Sequence, residues 1–193
     1  EAPALKVADI GCAMGKTGTD AAKYASDMII TDDNFATIVE AVRHGRGMFE
    51  NIRKTVHFLI STNIGEVMVV LLGFLMKIPP PLLAIHLLWI NLVTDAFPAL
   101  ALGVDPIDKN IMKKPPLEPN KSLFSDGLGY NIVVEGLFIA AIGILSYSIG
   151  RAFFDVDPYH PIIGQTMAFL TLGLSQLMHS FNVQSRKSLV VTG

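Results

Sequence analysis

The chain has 193 residues, of which 51% are hydrophobic and only 17% charged, and its mean hydropathy is +0.47. This composition is typical of membrane proteins and excludes an ordinary soluble domain of this length. The net charge of −2 argues against a nucleic-acid partner, and the single cysteine, Cys12, provides neither a disulfide framework nor a thiolate metal site. No basic and apolar leader opens the chain, which begins EAPALK as if cut from a longer polypeptide, so we expect the targeting signal to lie elsewhere.

Residues 1–34 have the pattern of a soluble α/β structure. Apolar runs at 10–14 and 28–31 are strand-like, and the stretch 19–26 between them is helical in character. This segment is too small to form a domain alone. We therefore interpret it as the end of an α/β domain.

The turn after the first strand-like run contains Gly11 and Gly15 followed by Lys16, which invites comparison with a phosphate-binding loop. Only three residues separate Gly11 from the Gly-Lys pair, whereas the phosphate-loop motif needs four. A tight turn between a strand and a helix, with Thr19 or Asp20 as the helix cap, explains the glycines instead.

Residues 35–57 are predicted to form a cytosolic stalk helix that continues into the membrane. Asp33 or Asn34 is suited to cap its start. One face is apolar and the opposite face is basic. The apolar residues are Ile38, Val39, Val42, Met48, Phe49 and Ile52, and the basic residues are Arg43, Arg46, Arg53 and Lys54.

Four apolar segments follow, each close to the ~20 residues that a helix needs to cross a bilayer. The predicted fold is therefore mainly α, a polytopic bundle of four transmembrane helices within residues 58–182, joined by a cytosolic loop at 104–126 and followed by a tail at 183–193. The segments lie at about 58–76, 82–103, 127–149 and 162–182.

The basic residues fix the predicted orientation. If all four segments span, the N-terminus, the loop 104–126 and the C-terminal tail share one side, and this excess of basic residues makes that side cytoplasmic. Only Lys77 and Arg151 lie opposite. The cytoplasmic set is Lys6, Lys16, Lys23, Arg43, Arg46, Arg53, Lys54, Lys109, Lys113, Lys114, Lys121, Arg186 and Lys187.

The second apolar segment carries Asn91, Thr94 and Asp95, although a carboxylate at membrane depth is costly without a cationic partner. Helical spacing places the three side chains on one face. Pro98 cannot donate a hydrogen bond to the carbonyl of Thr94, which frees one more oxygen. An oxygen-rich and partly unwound helix of this kind predicts a site for a hard cation.

The first segment carries Asn63 and Glu66 three residues apart, hence on one helical face, with Ser61 and Thr62 adding polarity beside them. Glu66 could instead be a protonated structural acid that is hydrogen-bonded inside the bundle. Because consecutive helices both carry polar faces, we favour a cation site that combines them.

The fourth segment places Ser175, Gln176, His179 and Asn182 at helical spacing. These side chains either line the same cation site or form ordinary hydrogen bonds between helices. Of them, Gln176 is the stronger ligand candidate. Three ionisable residues near helix ends are explained by snorkelling or interfacial hydrogen bonds: His57, His86 and Glu135.

Several motifs together resemble the C-terminal part of P-type cation-transporting ATPases, closest to the calcium-pump branch of the bacterial type. Residues 1–11, EAPALKVADIG, resemble the end of the family's hinge motif GDGVNDAPALK. Residues 13–15 and 32–35 resemble the closing strands of its haloacid-dehalogenase-like phosphorylation domain. Residues 63–66, NIGE, and 91–95, NLVTD, match its fifth and sixth membrane helices.

This resemblance implies that residues 1–34 end a Rossmann-like phosphorylation domain and that the four apolar segments are membrane helices five to eight. Asn91 favours the calcium branch, because sodium/potassium pumps have aspartate there. Gln176 stands where animal reticulum pumps have a glutamate ligand, which is compatible with a single transported calcium. The implied Ca²⁺ ligands are Asn63, Glu66, Asn91, Thr94, Asp95 and Gln176.

The resemblance also implies a role for the cytosolic loop, in which Asp105 and Asp108 would help to couple phosphorylation to transport. The parent would be an ATP-driven calcium exporter of the plasma membrane. The phosphorylated aspartate and the binding sites for ATP and Mg²⁺ would lie in the parts of the parent that this chain lacks, its N-terminal helices and cytosolic domains. This stretch alone is therefore expected to be inactive. A pump for Mn²⁺ or Na⁺, or a channel or secondary transporter that works without ATP, are the alternatives.

Overall fold

A computed structural model describes residues 2–116, 122–125, 127–157 and 159–185. The predictions that concern Glu1, Lys121, Arg186 and Lys187, and most of the tail 183–193, fall outside the described residues. The chain divides into two compact units. The smaller comprises Glu1–Met48 and Ile107–Pro115, and the larger comprises Phe49–Pro106 and Pro116–Gly193.

The smaller unit contains a short parallel strand pair. Helix α1 (Ala2–Val7) precedes β1 (Cys12–Met14), and helix α2 (Asp20–Ala25) leads to β2 (Met28–Ile30). The strands pair in register from Cys12 with Met28 to Met14 with Ile30. The predicted order of strand, helix and strand is confirmed, and the parallel pairing follows because α2 provides the crossover between the two strands.

The turn after β1 is held by Asp33. Its carboxylate accepts hydrogen bonds from the backbone amides of Lys16 and Thr17, both at 2.8 Å. These amides are therefore occupied, which agrees with the rejection of a phosphate loop. Thr19 caps α2 as predicted, because its hydroxyl accepts the amide of Ala22 at 3.3 Å.

Asp33 has a positive φ of 57°, a conformation that aspartate tolerates better than most residues. The hydrogen bond from the Lys16 amide is the main reason that the pKa of Asp33 is lowered to about 2. A carboxyl group whose pKa is lowered by folding stabilises the folded state at pH values above its pKa in the unfolded chain, which is about 3.9. This contribution is lost as the pH falls from about 4 towards 2.

We expect Asp33→Ala to speed amide hydrogen exchange at Lys16 and Thr17, because both amides lose their acceptor. Exchange measured by mass spectrometry on the full-length polypeptide checks this. Asp9→Ala, which removes an exposed carboxylate from the same unit, is the control. Equal protection of this turn in both variants would contradict the assigned role of Asp33.

Helix α3 (Phe35–Leu75) is a continuous helix of 41 residues. The side chain of Asn34 accepts the amide of Ala36 at 3.0 Å, so Asn34 caps the helix as predicted. The sequence pattern of a stalk that continues into the first apolar segment is therefore realised as one helix.

The larger unit contains the remaining predicted helices. Helix α4 (Ala84–Trp89), a π-helix (Ile90–Asp95) and α5 (Ala96–Gly103) form one uninterrupted helical run over the second apolar segment. Helix α6 (Leu128–Phe153) and α7 (Ile162–Gln184) cover the third and fourth segments. Their boundaries lie within a few residues of the predicted ones.

Close glycine contacts bring these helices together. A Cβ added to Gly136 of α6 would lie 2.7 Å from Ile64 of α3, and one added to Gly150 of α6 would lie 2.6 Å from the Cα of Gly164 in α7. An apolar core fills the space between the helices. Its buried members are Val69, Leu82, Ile90, Ile139, Ala140, Tyr147, Ala168 and Leu172.

Polar contacts secure the loops at one end of α6 and α7. Asp155 accepts the backbone amides of Ile163 and Gly164, both at 2.8 Å, and so satisfies the first turn of α7. Tyr147 donates its hydroxyl to the carbonyl of Pro79 at 2.7 Å. The loop after α3 is thereby tied to α6.

Three helical runs among the described residues are long and apolar enough to cross a membrane: α3, Ala84–Gly103 and α6. Large apolar side chains are exposed on all three, including Phe74, Leu92 and Phe138. Such exposure suits lipid or further membrane helices rather than water. Helix α7 is long enough, but Gln165, Gln176 and His179 lower its hydropathy, so the fourth span stays a prediction.

Candidate cation site in the helical bundle

Glu66 is the centre of the polar contacts between α3, the π-helix and α7. The amide nitrogen of Asn91 donates to Glu66 Oε2 at 2.8 Å, and that of Gln176 donates to Glu66 Oε1 at 2.9 Å. Glu66 is 4% exposed and Gln176 is fully buried. The structure therefore brings together three of the six predicted ligands, one from each of three helical segments.

Asp95 is the second buried carboxylate and is only 1% exposed. The hydroxyl of Thr62 donates to Asp95 Oδ2 at 3.0 Å. Asp95 Oδ1 and Gln176 Oε1 are buried and have no hydrogen-bond donor among the described residues. Buried acceptors are normally satisfied, so both oxygens remain available to a cation or to water.

The π-helix from Ile90 to Asp95 contains all three candidates of this segment. Such a widened turn is rare and is often found at functional sites. The backbone of this segment is helical throughout, from Ala84 to Gly103, whereas the sequence predicted that it would be partly unwound. Pro98 lies three residues after the π-helix, inside the continuous helical run, and the run continues past it to Gly103 without a break.

Asn63 and Thr94 lie outside this set of contacts. Asn63 is exposed and donates its amide to the carbonyl of Leu59 in its own helix at 2.7 Å. Thr94 is half-buried and donates to the carbonyl of Ile90 at 2.7 Å. Asn63 lines a groove of about 390 Å³, whereas Glu66 and Asn91 line another of about 500 Å³.

Thr62 contacts a site carboxylate, whereas its position in the sequence predicts only a polar residue beside Asn63 and Glu66. Thr62 precedes Glu66 by four residues and so lies on the same face of α3. That spacing is the sequence signal that associates Thr62 with the candidate site. It could not show that the partner of Thr62 is Asp95 on another helical segment.

A second polar cluster lies between α3, α6 and α7. His57 Nε2 is hydrogen-bonded to Glu135 Oε2, and His179 Nε2 lies 3.7 Å from the same oxygen. Ser61 Oγ lies 2.7 Å from His179 Nε2. Of the two explanations that the sequence allows for these residues, snorkelling or hydrogen bonding, the structure shows hydrogen bonding for His57 and Glu135, which bind each other.

In the larger unit, Asp105 is tightly held. Lys54 forms an ion pair with its carboxylate, and Gln184 donates to Asp105 Oδ1 at 2.8 Å. Partial burial opposes ionisation, but these donors outweigh it and the pKa of Asp105 lies below its usual value. Asn51 also donates to the Asp105 carbonyl at 2.8 Å. Asp105 thus ties the loop to α3 and to the end of α7.

Asp108 belongs to the smaller unit. Its carboxylate accepts the amide of Asn110 at 3.0 Å and lies 4.0 Å from Lys114 Nζ. Arg46 of α3 donates to the carbonyls of Lys114 at 2.9 Å and Ile111 at 3.4 Å. These contacts fix the loop locally, and the coupling role of Asp105 and Asp108 remains a prediction.

Comparison with known proteins identifies the family of this chain. Residues 79–193 match the family described as "Cation transporting ATPase, C-terminus". The chain belongs to this family. The match covers the helical run that contains Asn91, Thr94 and Asp95, the loop that follows it and both later helices. It ends beyond the last described residue.

Curated relatives extend the similarity to the smaller unit. The chain is 44% identical to Calcium-transporting ATPase 1 of Bacillus cereus, over 96% of the chain and 22% of that protein. It is 45% identical to Calcium-transporting ATPase of Bacillus subtilis, over 97% of the chain and 21% of that protein. Calcium-transporting ATPase 4, endoplasmic reticulum-type, of Arabidopsis thaliana is 48% identical over 81% of the chain and 15% of its own length. The chain therefore spans about a fifth of the length of the bacterial relatives.

Proposed function

We propose that this chain is the C-terminal part of a P-type ATPase of the plasma membrane that exports Ca²⁺ through an aspartyl-phosphate cycle. In this proposal Ca²⁺ is the substrate carried, and ATP and Mg²⁺ bind to other parts of the parent polypeptide. The described helices contribute the intramembrane ligands. The family membership and the names of the relatives support this choice.

The observation that carries the proposal is the set of buried oxygens around Glu66 and Asp95. Two carboxylates lie inside a bundle of apolar helices, and Asp95 Oδ1 and Gln176 Oε1 have no donor among the described residues. Hard cations prefer carboxylate and amide oxygens. Intramembrane acids that face a bundle interior mark ion pathways.

The proposed ligands fall into two groups. Glu66, Asp95 and Gln176 form the buried part, and Asn91 joins them through its contact with Glu66. Asn63 and Thr94 enter the set when their side chains leave the carbonyls of Leu59 and Ile90. Each is a single hydrogen bond within one helix, and Asn63 must also turn out of the separate groove that it lines.

The proposed topology places α7 as the fourth span. The N-terminus, the loop 104–126 and the tail then lie in the cytoplasm, where their lysines and arginines are favoured. Residues 1–34 would close a haloacid-dehalogenase-like phosphorylation domain, which the parallel strands β1 and β2 with their helical crossover support. Asp105 and Asp108 would transmit phosphorylation to the helices.

Ion uptake by sealed vesicles that contain the full-length polypeptide tests the function. We expect ATP to drive accumulation of radioactive Ca²⁺, and excess Mn²⁺ or Na⁺ to compete weakly. ATP-dependent uptake of Mn²⁺ or Na⁺ without Ca²⁺ uptake would reassign the ion. Calcium flux that is unchanged by ATP would instead support a channel or a secondary transporter.

A further inference from the structure

Among the described residues, the cluster of His57, Glu135 and His179 is the strongest group of ligand atoms outside the proposed calcium site. One nitrogen from each imidazole and one carboxylate oxygen all lie within 4.8 Å of one another. They come from three helices, α3, α6 and α7. We propose that this cluster binds a divalent transition-metal ion of the Zn²⁺ type, at a site separate from the one that carries Ca²⁺.

The donor atoms match such an ion. Zn²⁺ is bound by imidazole nitrogen and carboxylate oxygen at about 2.0–2.2 Å, and two ligands around one ion are therefore at most roughly 4.3 Å apart. The separation of 3.7 Å between His179 Nε2 and Glu135 Oε2 falls within this limit. The Glu135 oxygen that binds His57 has only to move away from that nitrogen to admit an ion between them.

Nitrogen donors also separate this cluster from the calcium site. Calcium selects oxygen ligands, whereas imidazole favours zinc, copper, nickel and related ions. The proposed calcium ligands offer only carboxylate, amide and hydroxyl oxygens. Both histidines are nearly buried, at 2% for His57 and 7% for His179, so their ring nitrogens are shielded from water.

An ion could reach the cluster through the adjoining cavity. This cavity has a volume of about 680 Å³ and is lined by all three residues, with Asn131, Ser175 and Asn182 adding polar groups. The side chain of Glu135 is 38% exposed. A water molecule from the cavity would complete four-coordinate geometry, the arrangement that zinc adopts with three protein ligands.

Ser61 provides support around the cluster. Its hydroxyl contacts His179 Nε2 at 2.7 Å and also bonds to the carbonyl of His57 at 2.7 Å. When His179 turns its Nε2 to an ion, Ser61 keeps its bond to the His57 carbonyl and stays satisfied. The rearrangement therefore leaves no buried hydroxyl without a partner.

Binding by the purified full-length polypeptide tests the proposal. The protein carries no histidine tag and is kept in saturating Ca²⁺, so that the oxygen site is occupied. Zn²⁺ is titrated against a coloured chelator, and Co²⁺ is added separately as a spectroscopic probe. We expect one tight Zn²⁺ per polypeptide and visible Co²⁺ absorption of the intensity typical of four-coordinate sites.

Glu135→Gln and His179→Asn are each expected to weaken Zn²⁺ binding at least tenfold and to remove the Co²⁺ signal. Glu135→Gln keeps the size of the side chain and an acceptor for His57, so it guards against loss of folding. His160→Gln is the matched control, because His160 is exposed and pairs with Asp157 in a loop. Equal Zn²⁺ affinity in the wild type and Glu135→Gln, or an equal loss in His160→Gln, would overturn the proposal. The Zn²⁺ affinity and the Co²⁺ absorption do not depend on ATP-driven transport. Failure of the calcium proposal would therefore appear in the uptake experiment and would leave these two measurements unchanged.

Discussion

Asp95→Asn is expected to abolish ATP-driven Ca²⁺ uptake by vesicles that contain the full-length polypeptide. Asp95 is almost fully buried, and one of its oxygens has no donor among the described residues. Asparagine keeps the shape of the side chain but removes the negative charge that offsets the dehydration of a divalent cation. Since calcium affinity depends on the number of charged ligands, we expect the affinity to fall by more than tenfold.

The Thr62 contact makes this substitution informative. Thr62 donates to Asp95 Oδ2, and the asparagine carbonyl oxygen can accept the same bond. The local packing between α3 and the π-helix is therefore expected to survive. Asp95→Glu restores the charge with one more methylene, and partial recovery of uptake is expected from it.

Two controls accompany the measurement. Asp157→Asn makes the same chemical change at an exposed loop residue and is expected to leave uptake unchanged. Phosphorylation of the Asp95→Asn variant by inorganic phosphate should persist, which would show that the cytosolic domains are intact. Normal uptake by Asp95→Asn would remove Asp95 from the ion pathway and favour a structural role for this acid.

The sequence predicted the helices well because apolar length and helical spacing are local properties. The ends of α6 and α7 fall within a few residues of the expected positions. The cap at Asn34 and the strand pair were likewise predictable, because side-chain capping and short apolar runs leave local signals. The π-helix was not predictable from Pro98, which is accommodated without a break.

Helical spacing could nominate residues for the candidate site, but it could not predict their contacts. Spacing shows that Glu66 and Asn91 each lie on a polar helix face, but only packing shows that they meet and that Gln176 joins them. Asn63 shares the sequence signal and nevertheless lies exposed. His57 and Glu135 are 78 residues apart, so no periodicity within one helix could relate them.

The close approach of α6 and α7 at Gly150 leads to the second strong prediction. A Cβ on Gly150 would lie 2.6 Å from the Cα of Gly164 and 2.9 Å from Met167 Sδ. The first contact is with backbone, which cannot rotate away, so the helices themselves must separate. Gly150→Ala is therefore expected to destabilise the protein by about 1–3 kcal/mol.

Gly129→Ala is the matched control, since Gly129 lies in the same helix. Among the described residues, a Cβ there would meet Phe124 alone, at 3.9 Å, an ordinary contact distance. Because alanine favours the helix over glycine, this variant is expected to be neutral or more stable by up to about 1 kcal/mol. Thermal unfolding of the full-length polypeptide in detergent, followed by tryptophan fluorescence, measures both changes. If the unfolding temperature falls in Gly150→Ala and is unchanged or rises in Gly129→Ala, contact between the helices requires the glycine at position 150. Equal shifts of the unfolding temperature in the two variants would mean that α6 and α7 do not pack at Gly150 as the structure has them.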